Sequence, residues 1–207
     1  MNHGVIPAVV VDGTRSILAP LARLLARRGV HANAVTVVGV IVTLAGAVVV
    51  AGGQPLAGGL VLLAGTLADA LDGQLARASG GGTRFGAFLD STLDRVADGA
   101  LAGAAIWLGH STAHATLVAW SLALFLASSL VPYVRAKAET LGLRGDVGIA
   151  PREARVALYI IGVLIWAALA DQRAFEVTVA VITLLTSYTL VERVRDVARA
   201  LKNEGKR

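Results

Sequence analysis

Residues 69–94 read DALDGQLARASGGGTRFGAFLDSTLD, and they place four aspartates in a chain that is 56% hydrophobic. These are Asp69, Asp72, Asp90 and Asp94. A carboxylate at membrane depth costs about 2.5–3.5 kcal/mol on insertion scales, so intramembrane aspartates are rare unless something compensates for their charge. Four of them in this stretch therefore need a partner, and the surrounding sequence indicates what that partner is.

The composition of the whole chain is that of an integral membrane protein. Only 16% of its 207 residues are charged, whereas a soluble domain carries about 25%. The length predicts one domain, covering residues 1–207. Because the chain has no cysteine, a disulfide framework and a thiolate metal site are excluded. The N-terminus has no basic run ahead of its short apolar stretch, so we expect no cleaved signal peptide.

Six segments are apolar enough and long enough to cross a membrane as helices, since a span needs about 20 residues. The fifth is short unless it begins before Val156, and the sixth is expected to continue as a helix beyond the membrane. The predicted fold is therefore an all-α bundle of six transmembrane helices within residues 33–200. The six segments are 33–51, 56–78, 85–108, 113–136, 156–170 and 175–191.

An amphipathic helix is predicted ahead of the first span, within residues 14–29. It places four apolar side chains on one face and three arginines beside them, which is typical of a helix lying in the membrane interface. Gly29 is expected to end this helix. A helix packed against the bundle is the alternative. The apolar residues are Ile17, Leu21, Leu24 and Leu25, and the basic residues are Arg23, Arg27 and Arg28.

The distribution of basic residues predicts the orientation in the membrane. Of 19 Lys and Arg residues, only Arg173 lies on the face that holds the turns at 52–55, 109–112 and 171–174. The positive-inside rule makes the opposite face cytoplasmic, and with six spans it places both termini there. The net charge of +5 is therefore explained by topology and anion binding, and nucleic-acid binding is not indicated.

Helical spacing brings the four aspartates together. At 100° per residue, Asp69 and Asp72 share one face of the second span, and Asp90 and Asp94, four residues apart, share one face of the third. The glycines at 80–82 lie between these spans, so two antiparallel helices joined there would place all four carboxylates side by side. The carboxylates would repel one another unless one or two divalent cations neutralised them. Oxygen ligands without Cys or His favour Mg²⁺, Mn²⁺ or Ca²⁺ over zinc.

Small and basic residues flank these carboxylates. Gly73, Ala76 and Gly86 leave room for a bulky ligand against the backbone, and Arg77 offers two parallel hydrogen bonds to a phosphate. The structural alternative is that the aspartates only pair with nearby arginines and brace the bundle. Four carboxylates at matched helical spacing, with small residues between them, favour the metal site.

The same stretch matches, without a departure, the pattern D-x-x-D-G-x-x-A-R, eight residues, G-x-x-x-D-x-x-x-D. By this pattern, and by its six-span layout and N-terminal helix, nearly the whole chain resembles the CDP-alcohol phosphotransferase family. The resemblance implies two Mg²⁺ or Mn²⁺ ions among the four aspartates, bound to the pyrophosphate of a CDP-linked lipid, and a homodimer. The fixed positions are Asp69, Asp72, Gly73, Ala76, Arg77, Gly86, Asp90 and Asp94.

The resemblance also implies roles for single residues. Asp69, Asp72 and Asp90 would be metal ligands, and Asp94 would bind the second ion and take the proton of the acceptor hydroxyl. That hydroxyl would attack the β-phosphorus, and CMP would leave. At the head of the first span this chain has His31 and Ala32, where the family usually has a proline. The CDP-linked lipid would be bound by Asn33, Thr36, Gly73, Ala76, Arg77, Thr83 and Gly86.

Several cations near the cytoplasmic ends of the spans indicate an acceptor that carries a phosphate. Ordinary anchoring of helix ends by basic residues is the alternative. Residues 80–99 and 132–148 are similar to the family's actinobacterial phosphatidylinositol phosphate synthases, which join CDP-diacylglycerol to inositol 1-phosphate. Pro132 stands where those enzymes usually have Ser, and position 135 is Arg where Lys is expected. By this resemblance the acceptor phosphate would be bound by Arg135, Lys137, Arg155 and Arg195.

Two other activities remain open. Phosphatidylglycerophosphate synthases, which use glycerol 3-phosphate, share the aspartate pattern but typically read Asp-Pro-x-x-Asp-Lys where this chain has Asp90-Ser-Thr-Leu-Asp94-Arg95. A divalent-cation transporter also carries intramembrane carboxylates. It would place them near the bilayer midplane, often with inverted repeats, and no repeat is visible here. The sequence therefore favours a membrane transferase acting on CDP-diacylglycerol and inositol 1-phosphate.

Overall fold

The computed structural model of the protein describes residues 8–204, with side chains for residues 18–203. Within that range the chain forms seven helices and no strand, which confirms the all-α prediction. Residues 1–7, where we expected no cleaved signal peptide, and the side chain of Ile17 lie outside the described residues. The helices are α1 (Ala8–Arg27), α2 (Ala32–Ala51), α3 (Pro55–Ala78), α4 (Arg84–Ser111), α5 (Ala115–Thr140), α6 (Arg152–Leu169) and α7 (Gln172–Glu204).

Among the described residues, four helical segments are long and apolar enough to cross a membrane. They are α2, α3, α5 and Gln172–Asn203 of α7. Helices α4 and α6 coincide with the other two predicted segments, and the count of six spans stays a prediction. The fifth predicted segment does begin before Val156, because α6 starts at Arg152, and the sixth does continue as a helix to Glu204. The chain is therefore that of a multi-pass membrane protein.

Glycines in left-handed backbone conformations follow α1 and α3, as they also follow α2 and α5. Gly29 has a φ of 72° and its amide donates to the carbonyl of Ala26 at 3.0 Å, so α1 ends where the sequence predicted. Gly80 and Gly81 have φ values of 95° and 111°. Residues that carry a side chain rarely adopt such positive φ values. These two glycines separate the end of α3 from the start of α4.

The described residues form two compact units, 8–104 and 105–204. In the first, α1 and α2 both pack against α3. Glycines let α2 and α3 approach closely, because a Cβ added at Gly46 would lie 2.9 Å from the Leu62 side chain, and one at Gly58 would lie 2.9 Å from the backbone nitrogen of Val50. On the other side of α2, Val48 is 72% exposed, as expected of a helix whose outer surface contacts lipid.

In the second unit, α5 and α6 pack against α7. Aromatic rings fill the α6–α7 contact, where Tyr159 meets Phe175 edge to face at 5.1 Å and Trp166 stacks on Phe175 at 6.0 Å. The loop before α6 is held to α7 by a hydrogen bond of 3.1 Å from the amide of Ala150 to the hydroxyl of Thr189. These contacts fix the α6 residues relative to the charged end of α7.

Candidate metal centre

Three of the predicted aspartates form a carboxylate cluster near the junction of α3 and α4. Asp69 and Asp72 lie in the last three turns of α3, and Asp90 lies in the second turn of α4. One oxygen from each of these residues lies within 4.8 Å of the oxygens of the other two. The structure therefore brings together three of the four carboxylates that the sequence analysis grouped.

Asp72 is the most buried member of the carboxylate cluster, with 7% of its surface exposed. The side chain of Thr36 and the backbone of Gly73 hydrogen-bond to its carboxylate, while Asp69 and Asp90 repel its charge. Its Oδ2 atom is buried and has no hydrogen-bond partner among the described residues. A buried acceptor left without a donor costs about 1–3 kcal/mol. A cation among the three carboxylates would relieve both this cost and the repulsion.

The chemistry of the carboxylate cluster fits a hard divalent cation. All three side chains supply oxygen, the ligand that Mg²⁺, Mn²⁺ and Ca²⁺ prefer. Asp69 is half-buried and Asp90 is exposed, so the cluster is accessible to a ligand. The residues present thus match the metal that the sequence implied.

Asp94 lies outside the group that meets the 4.8 Å limit, one turn beyond Asp90 on α4. It is half-buried, and its Oδ2 lies 3.4 Å from a guanidinium nitrogen of Arg95. The structure therefore separates the fourth aspartate slightly from the other three, which leaves room for a different role.

Three residues predicted to bind the CDP-linked lipid meet at the start of α4. The hydroxyl of Thr83 accepts a hydrogen bond of 2.9 Å from the amide of Gly86 and so caps the helix. A Cβ at Gly86 would lie 2.9 Å from Oδ1 of Asn33 and 3.1 Å from Oγ1 of Thr83. A side chain at position 86 would thus press directly on two polar groups that face this point.

Arg77 lies on the exposed side of α3, close to Gly73. A Cβ at Gly73 would have only the guanidinium of Arg77 near it, at 3.8 Å, so the backbone there is open. Arg77 is exposed, while Ala76 is half-buried and Thr36 is buried. The guanidinium is therefore available to a phosphate near the carboxylate cluster.

The four predicted acceptor-binding residues all lie in the unit formed by residues 105–204. Arg155 is 7% exposed and donates to a backbone carbonyl at 3.3 Å. Arg135, Lys137 and Arg195 are exposed. Arg135 and Arg155 both lie close enough to Arg193 to repel its charge. The Asp146 carboxylate also acts on Arg193, and Arg135 pairs with Glu139 at 2.9 Å. A group of guanidinium side chains such as this is suited to bind an anion.

Two features of α7 could not be predicted from the sequence: the backbone contacts of Arg193 and the buried oxygen of Glu192. Arg193 donates from Nε to the carbonyl of Val147 at 2.7 Å and from a terminal nitrogen to that of Val131 at 2.9 Å. Glu192 has its Oε2 buried without a hydrogen-bond partner among the described residues. The charged residues of this segment recur at helical spacing, but the sequence does not show which of them face the neighbouring loop.

Comparison with known proteins agrees with the geometry. The family model for CDP-alcohol phosphatidyltransferase matches residues 29–190. The phosphatidylinositol phosphate synthase of Mycolicibacterium smegmatis is 38% identical over 186 residues, covering 86% of this chain and 82% of that protein. Its namesake from Corynebacterium glutamicum is 35% identical over 195 residues, covering 92% and 85%. The namesake from Mycobacterium marinum is 41% identical over 145 residues, which are 69% of this chain and 62% of that protein.

Two solved structures of the Mycobacterium tuberculosis phosphatidylinositol phosphate synthase have the same fold. One, with CDP-DAG bound, has a TM-score of 0.81 at 34% identity and covers 88% of this chain and 94% of its own. The other, in complex with manganese and citrate, has a TM-score of 0.80 at 34% identity and covers 87% and 88%. The family match extends over most of the chain and includes the carboxylate cluster. The chain belongs to the CDP-alcohol phosphatidyltransferase family.

Proposed function

We propose that the protein transfers a phosphatidyl group from CDP-diacylglycerol to inositol 1-phosphate, releasing CMP and forming phosphatidylinositol phosphate. The observation that carries this proposal is the carboxylate cluster, in which the buried Oδ2 of Asp72 has no hydrogen-bond partner among the described residues. The names of the similar proteins, and the related structure with CDP-DAG bound, support the substrate.

The proposed cofactor is a pair of divalent cations, Mg²⁺ or Mn²⁺, held by Asp69, Asp72, Asp90 and Asp94. When bound, such ions supply positive charge that stabilises the pyrophosphate and the leaving CMP. The oxygen-only donor set supports this choice, as does the related structure with manganese and citrate.

The remaining residues bind the donor and move one proton. Arg77 binds a phosphate of the donor, Gly73 and Ala76 leave space for it, and the nucleotide end lies against Gly86 beside Asn33, Thr36 and Thr83. The acceptor hydroxyl oxygen bonds to the β-phosphorus, and the bond from that phosphorus to the bridging oxygen breaks. CMP keeps the electron pair of the broken bond. Asp94 takes the hydroxyl proton, which is a role for a carboxylate that is only half-buried.

The acceptor phosphate is proposed to bind to Arg135, Lys137, Arg155 and Arg195. The proximity of Arg135 and Arg155 to Arg193 supports an anion here, because guanidinium groups bind phosphate through charge-assisted hydrogen bonds. Inositol 1-phosphate and glycerol 3-phosphate both carry such a phosphate. The similarity of the chain to phosphatidylinositol phosphate synthases favours the first.

In the membrane, the proposed arrangement has six spans, α1 in the interface, and both termini and the active site on the cytoplasmic side. Leu21 and Leu24 on α1 are 44% and 46% exposed, which suits contact with lipid. Arg23 and Arg27 on the same helix line an open cavity with the end of α3. A homodimer is part of the proposal.

The test is CMP release by the purified protein with CDP-diacylglycerol, Mg²⁺ or Mn²⁺, and one acceptor at a time. The acceptors are inositol 1-phosphate, glycerol 3-phosphate, free inositol and serine. We expect release with inositol 1-phosphate alone, and its loss by at least about 100-fold in Asp94→Asn, since proton transfer by a positioned side chain contributes about 10²–10⁴-fold.

Asp171→Asn is the matched control, because Asp171 lies in an exposed turn at the start of α7 and should leave the rate unchanged. Release with glycerol 3-phosphate instead would support the proposed transfer reaction but refute inositol 1-phosphate as the acceptor. No release with any acceptor from folded protein, together with cation flux in proteoliposomes, would favour a transporter.

A further inference from the structure

Within residues 105–204, one face of α7 lines a cavity of about 220 Å³. The residues on this face recur at intervals of three and four and carry both signs of charge. A cavity lined by cations alone would suit any phosphate, whereas this one also presents carboxylates. The polar residues that line it are Tyr188, Glu192, Arg195, Asp196 and Arg199.

Glu192, which lines this cavity, has a carboxylate oxygen without a hydrogen-bond partner among the described residues. Its Oε2 is buried and receives no hydrogen bond from the described residues, although Arg195 and Arg199 line the same cavity. Leaving a buried acceptor without a donor is unfavourable, more so when it is charged. The side chain is therefore suited to accept a hydrogen bond from a group that the described residues do not supply.

We propose that Glu192 is a specificity-determining residue that accepts hydrogen bonds from the hydroxyl groups of a polyol phosphate. This inference rests on the proposed function, in which Arg195 binds the acceptor's phosphate. A carboxylate repels a bare phosphate and has no hydrogen-bond donor for it, so Glu192 does not favour the binding of inorganic phosphate. A polyol phosphate carries hydroxyl donors, and a carboxylate with two oxygens binds such donors well. The pair of opposite charges on one helical face thus selects for a phosphate attached to a hydroxylated carbon skeleton.

A purely electrostatic role makes a different prediction. If Glu192 acted only through its charge, its neutralisation would remove a repulsion and tighten the binding of every phosphate, inositol 1-phosphate and inorganic phosphate alike. If it binds hydroxyl groups, its neutralisation should weaken the binding of inositol 1-phosphate without weakening the binding of inorganic phosphate. The two roles are therefore separated by comparing these two ligands on one variant.

The experiment measures CMP release by the full-length protein with CDP-diacylglycerol and Mn²⁺, at varied inositol 1-phosphate, with inorganic phosphate as a competing inhibitor. For Glu192→Gln we expect the KM for inositol 1-phosphate to rise roughly tenfold, as for a weakened hydrogen bond to a charged group. The inhibition constant for inorganic phosphate should not rise, because this ligand loses a repelling charge and no hydrogen bond. Glu176→Gln, at the other end of α7, is the matched control and should change neither value.

Glu192→Asp is the second variant, because it keeps the charge but shortens the side chain, and it should also raise the KM for inositol 1-phosphate selectively. An unchanged or lowered KM for inositol 1-phosphate in folded Glu192→Gln would overturn the inference, and so would a parallel rise of the KM and of the phosphate inhibition constant. If the wild-type protein released no CMP with inositol 1-phosphate, the proposed function itself would be refuted. The two failures are therefore distinguishable.

Discussion

Replacing Asp72 with asparagine should make the metal-free protein more stable and the metal-loaded protein less stable. Without a cation, the Asp72 carboxylate has a buried oxygen with no hydrogen-bond partner among the described residues, and Asp69 and Asp90 repel it. Asparagine has nearly the same shape and no charge. Its amide group would donate to the neighbouring carboxylates, whose oxygens lie within 4.8 Å.

The magnitude follows from these contacts. Satisfying the buried position is worth about 1–3 kcal/mol, and relief of the repulsion adds to it in the same direction. For a chain of this length, 1 kcal/mol shifts Tm by about 2–4 °C, so Asp72→Asn should raise Tm in chelator by at least roughly 2 °C. A cation at 100 times its Kd stabilises the wild-type protein by about 2.7 kcal/mol, and the variant should lose most of that gain.

The assay is thermal unfolding in detergent at pH 8, where carboxylates are ionised, with EDTA or with added Mn²⁺. The two proteins should exchange their order of stability between these conditions, while the control Asp171→Asn should follow the wild-type protein in both. A lower Tm of Asp72→Asn in EDTA would refute the idea that this carboxylate is strained without metal. An undiminished gain from Mn²⁺ would refute its place among the ligands.

Two further substitutions test the surroundings of the two candidate sites. Gly86→Ala places a methyl group 2.9 Å from Oδ1 of Asn33, so the KM for CDP-diacylglycerol should rise several-fold while the KM for the acceptor stays unchanged. Gly103→Ala on the same helix, where a Cβ meets nothing within 4 Å, is the control and should change neither KM. Arg193→Lys keeps the charge but has one nitrogen in place of the two that donate to the carbonyls of Val147 and Val131. The free energy of unfolding should therefore fall by at least about 1.5 kcal/mol, while that of an Arg173→Lys control should stay within about 0.5 kcal/mol of the wild-type value. If a variant and its control had equal effects, the contacts assigned to Gly86 or Arg193 would be contradicted.

The helices could be predicted because long apolar runs specify them locally. The predicted segment 33–51 differs from α2 (Ala32–Ala51) by one residue, and 56–78 differs from α3 (Pro55–Ala78) by one as well. The end of α7 was harder to predict. The helix was expected to continue beyond the membrane, but the hydropathy of its charged residues does not indicate that it ends at Glu204. Hydropathy predicts where a helix can cross a membrane, and it does not predict where the helix ends in water.

The carboxylate cluster could be predicted only because a short turn joins the helices that form it. Asp72 and Asp90 are 18 positions apart, and the Gly80–Gly81 turn determines how their helices meet. The contacts of Arg193 join residues 46 and 62 positions apart. No local pattern predicts such contacts, because they depend on how α7 packs against α5 and against the loop before α6. The unsatisfied oxygen of Glu192 could not be predicted for the same reason.

The close packing of α2 on α3 also determines the geometry of the carboxylate cluster. A Cβ at Gly39 of α2 would lie 3.1 Å from the Cβ of Ala68 and 3.5 Å from the backbone nitrogen of Asp69. The missing side chain at position 39 therefore lets α2 approach α3 beside one of the cluster residues. The same approach places the hydroxyl of Thr36, one turn earlier on α2, against the carboxylate of Asp72. A larger side chain at position 39 would push α3 away from α2 and displace both Asp69 and Asp72 with it. The geometry of the cluster therefore depends on a glycine that has no ligand atom of its own.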